Sequence, residues 1–194
     1  MPKMSLSRFT SVGVAIAAVL ALAAPATAAA EVRLQGTISW RLVKAPNPTA
    51  DQQRAYDLIT RAMNAAVSRY NNLSGLTKSI TAHYDPNVPT ADGNINGTIR
   101  FGKTGFMTER TALHEISHTI GVGTSGKWRG LGCGGTYNGS RATALVKQYD
   151  GQGAVIHCDS QHFWPYGLNH DNEFSQTNAD RHVRIVDAMV RDGL

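Results

Sequence analysis

The sequence predicts an α+β fold in one domain behind an export segment, and three observations carry that expectation. Four stretches show apolar residues at helical spacing, with short strand-like runs between them in no regular strand–helix alternation. Removing an N-terminal segment of 30 residues from the 194 leaves a length that suits a single core. There is no internal repeat and no low-complexity tail.

Lys3 and Arg8 form a basic start, "FTSVGVAIAAVLALAA" is an apolar run, and "PATAAAEV" offers small-residue cleavage points after Ala28 or Ala30. This three-part pattern predicts a secretory signal peptide over residues 1–30, with the domain over 31–194 and the product secreted. The Ala-rich run is short for a span of about 20 residues and no basic cluster follows it, so no membrane partner is expected. Lys3 and Arg8 leave with the segment, so the 19 Lys and Arg fall to 17 against 14 Asp and Glu. That mild excess forms no run, and nucleic acid is not an expected partner. A monomer is expected.

Along the domain, "VRLQGTISWRLV" reads as a strand, with Leu34, Ile38 and Trp40 in loose alternation, and "KAPNPT" breaks it. Thr49 is placed to cap a helix, with Gln52 at the reciprocal position. Tyr56, Ile59, Met63, Val67 and Tyr70 then recur at helical spacing, so residues 50–71 read as one amphipathic helix with that stripe in the core. "SITAHY" reads as a short strand, "DPNVPTADGNING" as a long polar loop and "GTIRFG" as another strand. A helix opens at Thr108 and closes at Gly121. A glycine-rich stretch over 121–139 holds Trp128, which suits either a substrate wall or a satellite core. "SRATALVKQYDG" reads as a helix capped by Ser140, with Ala142, Leu145, Val146 and Tyr149 on one face. "AVIHC" reads as a buried strand, "DSQHFWPYGLNHDNE" as an irregular aromatic segment, and "NADRHVRIVDAMVRDG" as a closing helix that aligns Val183, Val186 and Val190. Cys133 and Cys158 are the only cysteines, and export predicts that they form a disulfide. A loop of that length stabilises by roughly 3–4 kcal/mol on the chain-entropy argument. The sequons at Asn72, Asn96 and Asn138 are too common a pattern to carry weight.

The chemistry concentrates in "ALHEISHTIGVGT". With His114 at zero and about 100° per residue, His118 lies about 40° away and Glu115 about 100°. Leu113, Ile116 and Ile120 gather on the other side. Two imidazoles one turn apart can bind one ion from the same direction, which predicts a Zn2+ site. Glu115 stands beside them and is free to take a proton from a metal-activated water.

"HEISHTIGVG" resembles the active-site helix of zinc-dependent metallopeptidases of the zincin class. His114, Glu115, His118 and Gly121 match the HExxHxxG start of the metzincin signature. The pair of segments "HEISHTIGVGT" and "HFWPYGLN" also resembles secreted bacterial proteins, some of which carry a ricin-type lectin module. The resemblance covers residues 108–124 and, more loosely, 157–174. It implies a zincin-like fold: a small twisted sheet, residues 50–71 as a backing helix, "GTIRFG" as an edge strand along which a protein or peptide substrate lies, and Glu115 as the catalytic base of a peptidase.

The match departs at the third metzincin ligand, which falls on Thr124, a poor zinc ligand. The candidates further along are His157, Asp159, His162, His170, Glu173 and His182. His162 is the expected ligand, because its irregular segment can turn it toward a cleft and a Cys133–Cys158 bond would tie that segment to the loop leaving the helix. Glu173 is second, by analogy with zincins whose third ligand is a later glutamate. Trp164 and Tyr166 are expected to line a substrate pocket; for Tyr166 a bond to a developing oxyanion competes with simple aromatic packing, which is slightly favoured. His83 and His182 are expected to be structural. The rival expectation is a secreted module that keeps the scaffold, lacks catalysis and binds carbohydrate or a surface through Trp128, Trp164 and Tyr166.

Overall fold

A computed structural model describes Met1 and residues 35–194. The signal-peptide expectation lies outside the described residues. Residues 35–194 fall in one compact unit of mixed α and β structure, with four α-helices and two small sheets among the described residues. None of its helices is long and apolar enough to cross a membrane.

Strand β1 (Thr37–Leu42) is followed by helix α1 (Ala50–Leu73). The expected capping box forms: Thr49 Oγ1 accepts from the Gln52 N–H at 3.2 Å and Gln52 Oε1 accepts from the Thr49 N–H at 2.9 Å. Tyr56, Ile59, Met63, Val67 and Tyr70 are all buried, with Ala55, Ala62 and Ala66 filling the same face. Strands β2 (Thr77–Tyr84), β3 (Ala91–Gly93) and β4 (Thr98–Phe101) complete a four-stranded sheet in the order β1-β2-β4-β3. The β1/β2 and β2/β4 pairs are parallel and β3/β4 is antiparallel. Along β1, Thr37, Ser39 and Arg41 are exposed while Ile38 is buried, so this strand shows one face to water and one to the core.

Two expectations change here. The polar loop over 85–97 contains β3, a strand of only three residues, Ala91–Gly93, without the apolar alternation by which strands are recognised. As a result "GTIRFG" is an interior strand and β3 holds the edge. The register fixes what that edge offers. The Gly102 N–H donates to Thr90 O at 2.8 Å and the Asn94 N–H donates to Thr98 O at 3.0 Å. Residues 90, 92 and 94 therefore face β4, and the N–H and C=O of Ala91 and Gly93 point away from it.

Helix α2 (Glu109–Ile120) follows, with Thr108 capping the Thr111 N–H and Gly121 leaving the helix at φ +137°. Ala112, Leu113 and Ile116 are fully buried. A second sheet of three short strands, β5 (Gly135–Thr136), β6 (His157–Cys158) and β7 (Phe163–Trp164), is antiparallel throughout. Only the end of "AVIHC" is strand; Ile156 is buried without belonging to one. Helix α3 (Ser140–Asp150) begins as expected but Ser140 does not cap it. The Asp192 carboxylate, from the far end of the chain, accepts from the Arg141 N–H at 2.9 Å and the Ala142 N–H at 3.1 Å. Helix α4 (Gln176–Arg191) starts two residues earlier than expected because Ser175 caps the Asn178 N–H. Its Val183 and Val186 enter the core, and Val190 packs against it half-buried.

Candidate metal centre

Helix α2 lies between the edge strand β3 and a long return segment, residues 157–171, and the site forms where the three meet. Arg110, buried in α2, holds the return segment down. Its guanidinium donates to Asp171 Oδ1 at 2.6 Å, to Leu168 O at 2.8 Å and to Thr111 Oγ1 at 3.1 Å.

The two helix histidines are oriented by backbone carbonyls. His114 Nδ1 lies 2.8 Å from Gly167 O and His118 Nδ1 lies 2.8 Å from Val122 O. A carbonyl only accepts, so each Nδ1 carries the proton and each Nε2 presents a bare lone pair. The two Nε2 atoms stand 3.1 Å apart. Two lone pairs facing one another at that distance repel unless a cation or proton lies between them. Tetrahedral zinc with Zn–N bonds of about 2.0–2.1 Å sets its ligand nitrogens about 3.3 Å apart, so the separation fits a shared ion. His162 completes the group: one ligand atom from each of His114, His118 and His162 lies within 4.8 Å of the others. These three side chains could hold a metal ion.

Burial pushes the histidines toward the neutral form that a metal requires. For His114, burial and then the neighbouring His118 lower the pKa to about 3. His118 is lowered too, chiefly by burial. Glu115, 6 % exposed, is raised to about 8 by burial and by Asp92, with Arg110 acting in the opposite sense. Glu115 is not in the group of possible ligands and lines the same cavity, of about 270 Å3, which Ala91 and Gly93 of the edge strand also line.

Thr124, where the metzincin comparison would put a ligand, donates its hydroxyl to His118 O at 2.5 Å and only lines the cavity. Cys133 and Cys158 are bonded, with Cα atoms 4.9 Å apart. Asp159, Trp164, His170 and Glu173 line a second cavity of about 440 Å3, which shares His114 and His162 with the first. Glu173 Oε2 accepts from the Asn169 N–H at 2.9 Å.

Tyr166 is not brought to either cavity. Its hydroxyl donates to Asp150 Oδ1 at 2.6 Å and accepts from Arg181 at 2.6 Å, and Arg181 also lies over the rings of Tyr149 and Tyr166. Trp128 is 1 % exposed and belongs to the core, its indole N–H donating to Asp159 O at 3.0 Å. His157 pairs across the second sheet beneath Trp164, and its side chain lies outside the group of three. His182 is fully buried: its Nδ1–H donates to Tyr166 O at 2.7 Å, and its Nε2 lies 3.1 Å from the Tyr70 hydroxyl, which can donate to it, and 3.1 Å from Leu113 O.

Residues that sequence reasoning missed are Asp92, Arg110 and Asn169, which all line the first cavity. Asp92 was hidden in a stretch that reads as loop, and Arg110 belongs to no motif that would single it out. No protein-family model, curated protein or solved structure matches this chain.

Proposed function

We propose that the chain is an exported zinc peptidase with a zincin-like arrangement, in which His114, His118 and His162 hold the ion and Glu115 is the general base. One observation carries the reading: two imidazole lone pairs converge at 3.1 Å while the adjacent carboxylate stays out of the ligand group. A purely structural zinc site closes all four positions with protein ligands, whereas three leave one open for chemistry.

The edge strand supports a peptide as substrate. The outward N–H and C=O groups of Ala91 and Gly93 border the cavity and suit an extended chain adding as one more strand. A scissile bond held there lies beside Glu115. Zinc, when bound, would supply Lewis-acid activation of water and of the scissile carbonyl, and its charge would favour ionised Glu115. Glu115 accepts the proton of the attacking water and returns it to the leaving amine.

Trp164, 44 % exposed at the second cavity, favours the rival reading of a carbohydrate- or surface-binding module. Glu115→Gln separates the two. The substitution keeps size and leaves the histidines alone, so zinc content stays at that of wild type. Cleavage of an unbiased peptide library falls by roughly 10²–10⁴-fold, the ordinary worth of a general base. Zinc-loaded wild type that cleaves no better than the Gln variant removes the peptidase reading and leaves the binding module.

A further inference from the structure

His114 and His118 are fixed by a helix, but His162 sits at the end of the short turn between β6 and β7 and needs another anchor. We propose that Asp159 is the positioning residue for His162, holding both its backbone and its imidazole for the ion; this rests on the metal-centre reading above.

The Asp159 carboxylate acts on the turn from two sides. Oδ1 accepts from the Gln161 N–H at 2.7 Å and from the His162 N–H at 2.6 Å. Oδ2 lies 3.5 Å from His162 Nδ1. The Asp159 N–H in turn donates to His162 O at 3.0 Å, so the turn is closed at both ends. An anion beside Nδ1 favours the tautomer with its proton there, which leaves Nε2 as the basic nitrogen. Gly167 O and Val122 O play that part for the two helix histidines, and His162 alone of the three has a carboxylate.

Asp159 can do this because its own backbone is fixed from the inside. Cys158, the preceding residue, is bonded to Cys133. The indole of buried Trp128 donates to Asp159 O. The loop after α2 backs the turn so closely that a Cβ on Gly123 would come 2.3 Å from Gln161 O. Disulfide, indole and loop hold the main chain, and the carboxylate carries that rigidity outward to a histidine whose side chain is 39 % exposed. A partly exposed ligand on a turn loses affinity through disorder unless a partner orients it.

The test separates the charge from the turn. Asp159→Asn keeps an oxygen that can accept both backbone N–H groups and removes the anion; Asp159→Ala removes both. Zinc affinity is read by chelator competition and the ligand field by the absorption spectrum of Co2+-substituted protein. The Asn variant should bind zinc about tenfold more weakly, the Ala variant up to about a hundredfold, the span expected for partners of metal-bound histidines. Adding Asp159→Asn to His162→Ala should cost far less than it does in wild type, because most of its effect passes through that one ligand and only the through-space pull of the carboxylate on the ion and on His118 remains. The Co2+ spectrum of the Asn variant should shift toward that of His162→Ala. Wild-type affinity in Asp159→Asn, or an equal loss in the His162→Ala background, overturns the proposal. So does a metal-free Asn variant that melts as early as the Ala variant, since the residue would then serve the turn alone. Wild type that binds no zinc, or binds it equally well after His118→Ala, instead defeats the metal centre itself and the proposal with it.

Discussion

Gly93 closes the seam between the edge strand and helix α2, and Gly93→Ala tests that seam. A Cβ there would stand 2.4 Å from Glu115 O, 3.2 Å from Glu115 C and 3.2 Å from His118 Cβ. Two of the three obstacles are helix backbone, which no rotamer change can move aside. Restoring ordinary contact requires β3 to retreat on the order of 1 Å. Overpacking of this kind costs about 1–3 kcal/mol, and rigid backbone neighbours put it near the top of that span. Replacing glycine also stiffens the unfolded chain, which returns about 0.4–1 kcal/mol. The clash wins, with a net loss of about 2 kcal/mol. For a domain of this size that lowers the melting temperature by roughly 4–8 °C. The partners that orient His114 and His118 are Gly167 O and Val122 O, neither of them on β3, so zinc affinity should stay near that of wild type while peptide cleavage falls. Urea unfolding of the metal-free protein measures the first effect and chelator competition the second. A Gly93→Ala protein within about 0.5 kcal/mol of wild type, the range of an ordinary surface substitution, would refute the tight seam.

His182 predicts an acid-sensitive core. Burial, opposed by its bonds to Tyr166 O and Leu113 O, lowers its pKa from 6.5 to about 4. Between those values the unfolded chain binds a proton that the folded chain does not, so stability is full above pH 6.5 and falls with pH by about 3 kcal/mol down to pH 4. The difference in unfolding free energy between wild type and His182→Gln should shrink over that window, and a pH-independent difference counts against it. Asp192→Ala removes the cap of α3 and the bond from the Tyr137 hydroxyl, 3.1 Å away, and should cost about 1–2 kcal/mol by denaturant titration. Replacing Cys133 and Cys158 together by alanine should cost roughly 3–4 kcal/mol, and should weaken zinc binding as well because Cys158 anchors the turn that carries His162.

The helices and the first two histidines of the candidate centre were legible because their signals are local. The Thr49–Gln52 box, the buried stripe of α1 and the one-turn spacing of His114 and His118 are properties of a single helix, and periodicity reports them directly. The disulfide was expected from having two cysteines behind a segment that reads as an export signal. His162 could be chosen among six candidates only by the company it keeps in sequence. What gathers it with the helix pair is the fold of the return segment, and no spacing rule reaches across the 43 residues between His118 and His162.

Other features belong to tertiary structure alone. The edge strand is three residues of polar loop sequence, made a strand by pairing with β4 and by packing against α2. Tyr166 carries the same aromatic signal as Trp164, yet Asp150 and Arg181 claim its hydroxyl and draw it away from the cavities. The cap of α3 comes from Asp192, because a carboxylate brought in from α4 reaches the Arg141 and Ala142 N–H groups while the local residue Gly139 has no side chain to offer. The sequence by itself determined the four helices and the shared face of His114 and His118 with Glu115 beside them, since those depend on neighbours within one turn. The tertiary structure decided the third histidine, the strand that borders the cavity and the long-range partners of Arg110, His114 and His182, since those depend on distances that chain separation does not encode.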